Sequence, residues 1–205
     1  VNFINSRKGD RIGIIVFAGE SFIQCPLTVD KLVLKSLIDE INIVSKEYDG
    51  TAIGMAIANA TNRLRKSLVK SKVMVLLSDG SNNSGEIDPR TAAELALQYD
   101  IKIYTIGAGT NQAFTRIPGR GLIKNEIDEE TLKFIANKTG GKFFRATDIK
   151  ALESIYNEID TLERSEIEVK EYSNYTEIYI WILFPALILG LFIEFYKRFF
   201  LRSMF

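Results

Sequence analysis

The sequence predicts an α/β fold: a doubly wound, mostly parallel sheet with helices on both faces. Apolar-rich runs at Arg11–Ala18, Lys72–Leu77 and Ile101–Ile106 are predicted to be strands, and the run Arg11–Ala18 is typical of a strand that is covered on both faces. Stretches of helical periodicity separate these runs, and strands that alternate with helices form βαβ units. Such units place their connecting helices on the two faces of a parallel sheet.

Capping and turn residues predict the remaining elements in chain order. A short strand over Ser21–Cys25 is expected to stop at Pro26, because proline lacks the N–H that a strand ladder uses. A further short, edge-like strand is expected over Lys142–Arg145. Helices are expected from Thr28 or Asp30 to about Ile41, over Ala52–Leu68, from Asp88 through Tyr99, from Asp128 to about Lys138, and from Asp148 to about Leu162.

The C-terminus predicts a transmembrane helix over residues 177–197. Ile178–Ile193 contains no charge, and a helix continued to Tyr196 would span roughly 28 Å. The alternative is a buried core helix. Cations follow the segment and carboxylates precede it, which predicts a short basic cytoplasmic tail over 198–205 and an extracytoplasmic, periplasmic domain. The domain is expected over residues 1–165, with a juxtamembrane linker over 166–176.

Composition restricts the chemistry that the chain can perform. There is no histidine and only one cysteine, which excludes histidine-dependent triads and thiolate zinc sites. Lys plus Arg and Asp plus Glu both number 26, so the charge balance gives no indication of a nucleic-acid partner. A metal in this chain would have oxygen ligands, which favours Mg²⁺, Mn²⁺ or Ca²⁺.

Two oxygen-bearing residues fall where a parallel sheet binds ligands, beyond the carboxyl ends of its strands. Asp79 comes two residues after the run Lys72–Leu77, and Thr51 directly precedes a predicted helix. Gly50, Ser81 and Asn82 are candidates for a surrounding shell that holds water. Each main candidate also has a purely structural interpretation: Asp79 as the residue of an Asx turn and Thr51 as a helix N-cap.

The order of five segments resembles a von Willebrand factor A (VWA) domain. They are Gly9–Ala18, Pro26–Thr28, Asp49–Gly54, Leu76–Gly80 and Ile103–Gly107. The closer resemblance is to bacterial, membrane-anchored proteins of the aerotolerance (Bat) type. It implies a metal-ion-dependent adhesion site (MIDAS) in which Thr51 and Asp79 match the second and third loops. The first loop, Asp-x-Ser-x-Ser, has no counterpart here, so the chain is expected to be truncated at its N-terminus and to lack the first strand. The edges flanking that strand would then be unpaired.

The resemblance implies a non-enzymatic, membrane-tethered module whose bound cation accepts a carboxylate from a partner protein. Its implied partners are other envelope proteins of the VWA or Bat type and AAA-type ATPases of the MoxR kind, with a link to oxidative-stress tolerance. One alternative is a VWA scaffold that does not depend on metal. A remote alternative is a metal-dependent phosphohydrolase that uses Asp79.

Overall fold

The computed structural model describes residues 2–7, 9–42, 50–67, 69, 71–109, 114–117, 121–124, 127–171 and 179–200. Two compact units are present, Val1–Arg164 and Ser165–Phe205. The described helices are α1 (Asn2–Ser6), α2 (Lys31–Asp39), α3 (Ile53–Leu64), α4 (Pro89–Gln98), α5 (Glu129–Thr139), α6 (Ile149–Glu171) and α7 (Tyr179–Phe200). The described strands are β1 (Ile12–Phe17), β2 (Ser21–Thr28), β3 (Lys72–Ser78), β4 (Ile101–Ala108), β5 (Phe114–Ile117), β6 (Gly121–Lys124) and β7 (Phe143–Ala146).

A parallel sheet with helices on both faces is confirmed for β3, β4 and β7, in the order β3-β4-β7. Alternate residues of β4 point into two separate cores. Ile101 and Ile103 are buried among residues of α3, α4 and α5. Tyr104 and Ile106 are buried against α6. The central strand is therefore covered on both sides, as expected for a parallel sheet with helices on both faces.

Strands β1 and β2 form a separate antiparallel hairpin. The predicted stop at Pro26 is wrong, because β2 continues through Pro26 to Thr28. Within the described residues β2 pairs only with β1, so it is an edge strand, where a missing N–H donor is tolerated.

The β1–β2 hairpin and the β3-β4-β7 sheet share a core. No strand ladder joins them in the part of the chain that the structure describes. Helix α3 contacts both β1 and β3, and Phe17 packs into the core that contains Leu76.

The residues of β1 are nevertheless only half-buried or exposed, so the expectation that this strand is covered on both faces is wrong. β1 and β3 have unpaired edges within the described residues, as expected for a missing first strand. Truncation itself stays a prediction.

Unpaired strand edges lead to a testable expectation about solution behaviour. Because such edges offer backbone groups to other chains, we expect the isolated chain to self-associate as its concentration rises. Light scattering over a dilution series should give an average mass above that of one chain. A cooperative, reversible thermal transition that does not depend on concentration would contradict this expectation.

The β5–β6 hairpin was not predicted. Its two strands follow β4 and precede α5 in the sequence, and they form a separate antiparallel pair. The sequence signal was Pro118-Gly119, a turn dipeptide that lies between two short strand-like runs.

The predicted transmembrane helix is wrong: among the described residues, the structure contains no helix with the length and apolar character needed to cross a bilayer. The uncharged part of α7 extends from Tyr179 to Ile193 and is followed by Glu194. That part is about 22 Å long, against about 30 Å for a hydrocarbon core. The predicted orientation depended on this helix and loses its basis with it.

Candidate metal site at the strand ends

Thr51 and Asp79 lie at the same edge of the parallel sheet. Asp79 follows the last residue of β3, and Thr51 lies just before the first turn of α3. Gly80, the residue after Asp79, lies close to Thr51: a Cβ atom built on Gly80 would lie 3.2 Å from the Thr51 Oγ1 atom. The hydroxyl of Thr51 is therefore next to the backbone that carries Asp79, although 28 residues separate the two in sequence.

Thr51 is not the cap of α3. The N-cap residue is Ala52, which makes no side-chain capping bond. Asn82, in the loop after β3, makes the side-chain contact to this helix start, since its Oδ1 accepts from the N–H of Ile53 at 2.8 Å. Asn83 Oδ1 accepts from the N–H of Thr51, just before the helix, at 2.7 Å. The structural alternative for Thr51 is therefore contradicted by the geometry of this helix start.

The turn after β3 is stabilised by Ser78. This buried hydroxyl donates to the Gly80 carbonyl oxygen at 3.2 Å and accepts from the Gly80 N–H at 3.4 Å. Asp79 lies between the two residues and is exposed. The side chain that makes these turn hydrogen bonds is thus one residue earlier than the Asx-turn interpretation of Asp79 requires.

Glycines allow the loop after β3 to pack closely on the start of α3. Gly50 has φ +138°, and a Cβ there would overlap the Ser84 side chain. A Cβ on Gly54 would overlap the carbonyl oxygen of Ile87. The backbone of Thr51 adds a hydrogen bond, since its carbonyl oxygen accepts from the N–H of Asn83 at 3.1 Å. The loop after β3, which begins with Asp79, is therefore held closely against the start of α3.

Gly50, Ser81 and Asn82 were predicted to hold water around the candidate ligands, and the structure places them only partly in that role. Asn82 is engaged by the N-terminus of α3, so its carbonyl oxygen has a structural contact. Ser81 is half-buried in the same loop, and Gly50 provides space for that loop. Sequence reasoning missed Asn83. The available signal was the pair of asparagines after the strand-end turn, since asparagine is a preferred capping residue.

A hard cation fits the chemistry of Thr51 and Asp79, which offer a hydroxyl and a carboxylate oxygen. They supply two of the roughly six oxygen ligands that Mg²⁺ requires. Within the described residues no group of three or more Asp, Glu or Cys side chains is arranged to hold a metal ion. The described residues by themselves therefore do not form a closed cation site.

A second polar cluster lies where β4 and β7 end. Arg145 Nη1 lies 2.8 Å from Glu129 Oε1, and Arg145 Nε donates to the Gly109 carbonyl oxygen at 3.1 Å. A hydrogen bond from Lys133 lowers the pKa of Glu129; burial opposes this effect, and the charges of Lys133 and Arg145 add to it. The Glu129 carboxylate is engaged by these cations and is no substitute for a missing metal ligand.

Comparisons with known proteins support the fold. A family model described as "von Willebrand factor type A domain" matches residues 1–158. A Borreliella burgdorferi protein is 30% identical over 209 residues, which cover 98% of this chain and 61% of that protein. The protein BatB from Bacteroides thetaiotaomicron is 27% identical, with a TM-score of 0.66 over 80% of this chain and 84% of that one.

A second similar structure supports the fold alone. The mussel byssus protein PTMP1, described with a zinc-occupied MIDAS motif, is 22% identical, with a TM-score of 0.61 over 79% of this chain and 38% of that one. The present chain spans between about half and three fifths of the length of the first curated relatives that it matches.

Proposed function

Because this chain belongs to the von Willebrand factor type A domain family, we propose that it is a metal-dependent protein-interaction module with Thr51 and Asp79 at its binding rim. One observation carries the proposal. The Thr51 hydroxyl lies beside Gly80, the residue after Asp79, while Asn82 makes the side-chain contact to the start of α3 that would otherwise explain a threonine at this position.

The proposed chemistry is recognition without turnover. A Mg²⁺, Mn²⁺ or Ca²⁺ ion would supply a positive charge that binds a carboxylate of a partner protein. Thr51 and Asp79 would each contribute one oxygen to this ion. The close packing of the Asp79 loop on α3 would keep these oxygens in place, so that little ordering is required when the partner binds.

The proposed location is the bacterial envelope, with other VWA or Bat-type proteins as partners. The similarity to BatB supports this part of the proposal. A MoxR-type ATPase as a further partner, and a role in oxidative-stress tolerance, are hypotheses that rest on the resemblance of the sequence to the Bat group.

The test is Mn²⁺ binding by the natural polypeptide, whose N-terminal extent is first established by intact mass. We expect a bound Mn²⁺ signal in electron paramagnetic resonance that Asp79→Asn weakens by at least roughly tenfold in affinity, because the variant removes a charged ligand. Asp100→Asn is the matched control. It makes the same charge change next to the amino end of β4, and asparagine tolerates its φ of +55°.

Equal Mn²⁺ affinity of Asp79→Asn and Asp100→Asn would contradict metal binding at this rim. The absence of specific Mn²⁺ binding in the natural polypeptide would favour the metal-independent scaffold. Hydrolysis of p-nitrophenyl phosphate that requires Mg²⁺ and disappears in Asp79→Asn would favour the phosphohydrolase instead.

A further inference from the structure

Thr51 lies just outside the hydrogen-bond ladder of α3. The helix begins at Ile53 with Ala52 as its N-cap, and the N–H of Ala56 donates to the Ala52 carbonyl oxygen at 3.1 Å. Ala52 is itself fixed to the end of the β1 segment, because its N–H donates to the Ala18 carbonyl oxygen at 2.7 Å. Thr51 precedes Ala52 in the chain, so its own backbone groups take no part in these bonds.

The residue before Thr51 adds little restraint of its own. Gly50 has φ +138°, a conformation that residues with a side chain rarely adopt. Glycine also gives the chain its widest choice of backbone angles. The direction of the Thr51 side chain therefore depends on contacts that Thr51 makes with other parts of the fold.

Those contacts come from the loop after β3, and Asn83 makes two of them. Its Oδ1 atom accepts from the Thr51 N–H at 2.7 Å, and its own N–H donates to the Thr51 carbonyl oxygen at 3.1 Å. The N–H of Ser84 donates to the same carbonyl oxygen at 3.4 Å. Both backbone polar groups of Thr51 are therefore bonded to the loop that begins with Asp79.

Fixing the backbone of Thr51 also restricts its hydroxyl. Threonine is β-branched, so its χ1 angle has few accessible values once the backbone is set. The space is limited on one side, because a Cβ on Gly80 would lie 3.2 Å from Thr51 Oγ1. Asn83 comes four residues after Asp79, so a single loop supplies the carboxylate and determines where the hydroxyl lies.

The side-chain oxygen of Asn83 is already engaged within the protein. Its Oδ1 atom accepts from the Ser84 hydroxyl at 3.0 Å as well as from the Thr51 N–H. An amide oxygen has two lone pairs, and these two donors use both. The Thr51 N–H also determines which amide atom of Asn83 faces it, since a donor requires an acceptor. Any effect of Asn83 on a bound cation would therefore be exerted through Thr51.

We propose that Asn83 is the positioning residue of the candidate metal site: it holds the Thr51 backbone on the Asp79 loop, so that the Thr51 hydroxyl is in place before the cation binds. This inference rests on the proposed function, because it requires that Thr51 and Asp79 bind the cation. Ordering a ligand in advance lowers the cost of binding. Without the Asn83 side chain, the Thr51 backbone would have to be ordered when the cation binds, and the affinity would fall.

The test is a double-mutant cycle on Mn²⁺ affinity, measured by electron paramagnetic resonance on the natural polypeptide. We expect Asn83→Ala to weaken the affinity by at least roughly threefold, which corresponds to the loss of one hydrogen bond of ordinary strength. Thr51→Ala should weaken it too, because it removes an oxygen ligand. Asn83→Ala should then have no further effect in the Thr51→Ala background, since no hydroxyl remains to be positioned.

The matched control is Asn62→Ala, which removes the same side chain at an exposed position on α3. Asn62 Oδ1 accepts from Arg65 Nε at 3.0 Å, so this variant also loses a hydrogen bond. It should leave the Mn²⁺ affinity within about twofold, because Asn62 lies near the other end of the helix. All titrations are made below the onset of thermal unfolding, so that a loss of stability alone does not change the affinity.

A second measurement needs neither a variant nor a metal ion. Amide hydrogen exchange in the metal-free polypeptide reports whether the Thr51 N–H is held in a hydrogen bond. We expect exchange at Thr51 to be at least roughly tenfold slower than in an unstructured peptide of the same local sequence. Exchange at the rate of that peptide would overturn the proposal, because Asn83 would then not hold Thr51 before the cation binds.

The outcomes separate this proposal from the proposed function. If the parent polypeptide binds Mn²⁺ and Asp79→Asn weakens binding, but Asn83→Ala binds as tightly as Asn62→Ala, the metal site stands and the positioning role is overturned. Losses from Asn83→Ala and Thr51→Ala that add in full would overturn it as well, because Asn83 would then act independently of Thr51. The same holds for a Thr51→Ala variant of unchanged affinity. An absence of specific Mn²⁺ binding in the parent polypeptide would contradict both proposals.

Discussion

Gly54→Ala is expected to destabilise the domain by roughly 3 kcal/mol, at the upper end of what overpacking in a well-packed region costs. The added Cβ would overlap the carbonyl oxygen of Ile87, which is backbone and has no rotamer to change. Ile87 directly precedes Asp88, the N-cap of α4, whose side chain accepts from the N–H of Thr91. Relief of the overlap would therefore have to displace the start of α3 or the start of α4.

The measurement is the apparent midpoint of thermal unfolding. It is taken at one scan rate and one protein concentration, because the expected self-association would make the midpoint depend on both. A loss of about 6–12 °C corresponds to that destabilisation for a domain of this size. Gly140→Ala is the control. Gly140 has φ +77° and nothing within 4 Å of an added Cβ, so it reports backbone strain without a clash. That strain costs about 1–2 kcal/mol. A midpoint for Gly54→Ala at or above that of Gly140→Ala would contradict the steric argument.

Lys102→Met is expected to be the second strongly destabilising change, at roughly 3 kcal/mol, because it leaves a buried carboxylate without its cation. Glu163 of α6 is only 2% exposed. Its Oε1 accepts from the Tyr104 hydroxyl at 2.6 Å and lies 3.1 Å from Lys102 Nζ. These contacts attach α6 to the central strand β4, so their loss should loosen the packing of that helix.

Lys142→Met provides the comparison for this prediction. It breaks the pair of Lys142 with Glu158, whose side chains are 58% and 46% exposed. Exposed pairs contribute about 0–1 kcal/mol, so this variant should have a midpoint close to that of the parent chain. The double variant Lys102→Met/Glu163→Met should recover part of the loss, because no charge is left stranded. Equal midpoints for the two single lysine variants would show that the Glu163 contacts do not hold α6.

Local chemistry explains which elements were predicted correctly. Asp30, Asp88 and Asp128 each accept hydrogen bonds from N–H groups in the first turn of the following helix. Gly140 closes α5 with φ +77°. Caps of this kind depend on three or four neighbouring residues, so they can be read from the sequence. The strand assignment of β4 was also correct, because its apolar-rich sequence matches the burial of that strand.

The errors arose where the outcome depended on neighbours distant in sequence. β1 has nearly the same apolar character as β4, yet it is less buried, because only one of its edges is paired in the described residues. Pro26 is accommodated because β2 lies at an edge. In α7 the helix itself was predicted, but the predicted span was continued past the uncharged part and Glu194 to Tyr196, and a crossing helix was inferred from that extended length.

The candidate site combines both kinds of information. It follows from the sequence alone that Asp79 comes after a strand and that Thr51 comes before a helix, at the edge where a parallel sheet binds ligands. Their residue types also limited any metal to a hard cation. The folded chain alone shows that Asn82 bonds the first residue of α3, that the Thr51 hydroxyl lies against Gly80, and that Glu163 is buried beside Lys102. The physical reason is the range of the interactions: caps, turns and strand burial follow from adjacent residues, whereas these contacts join segments that only the folded chain brings together.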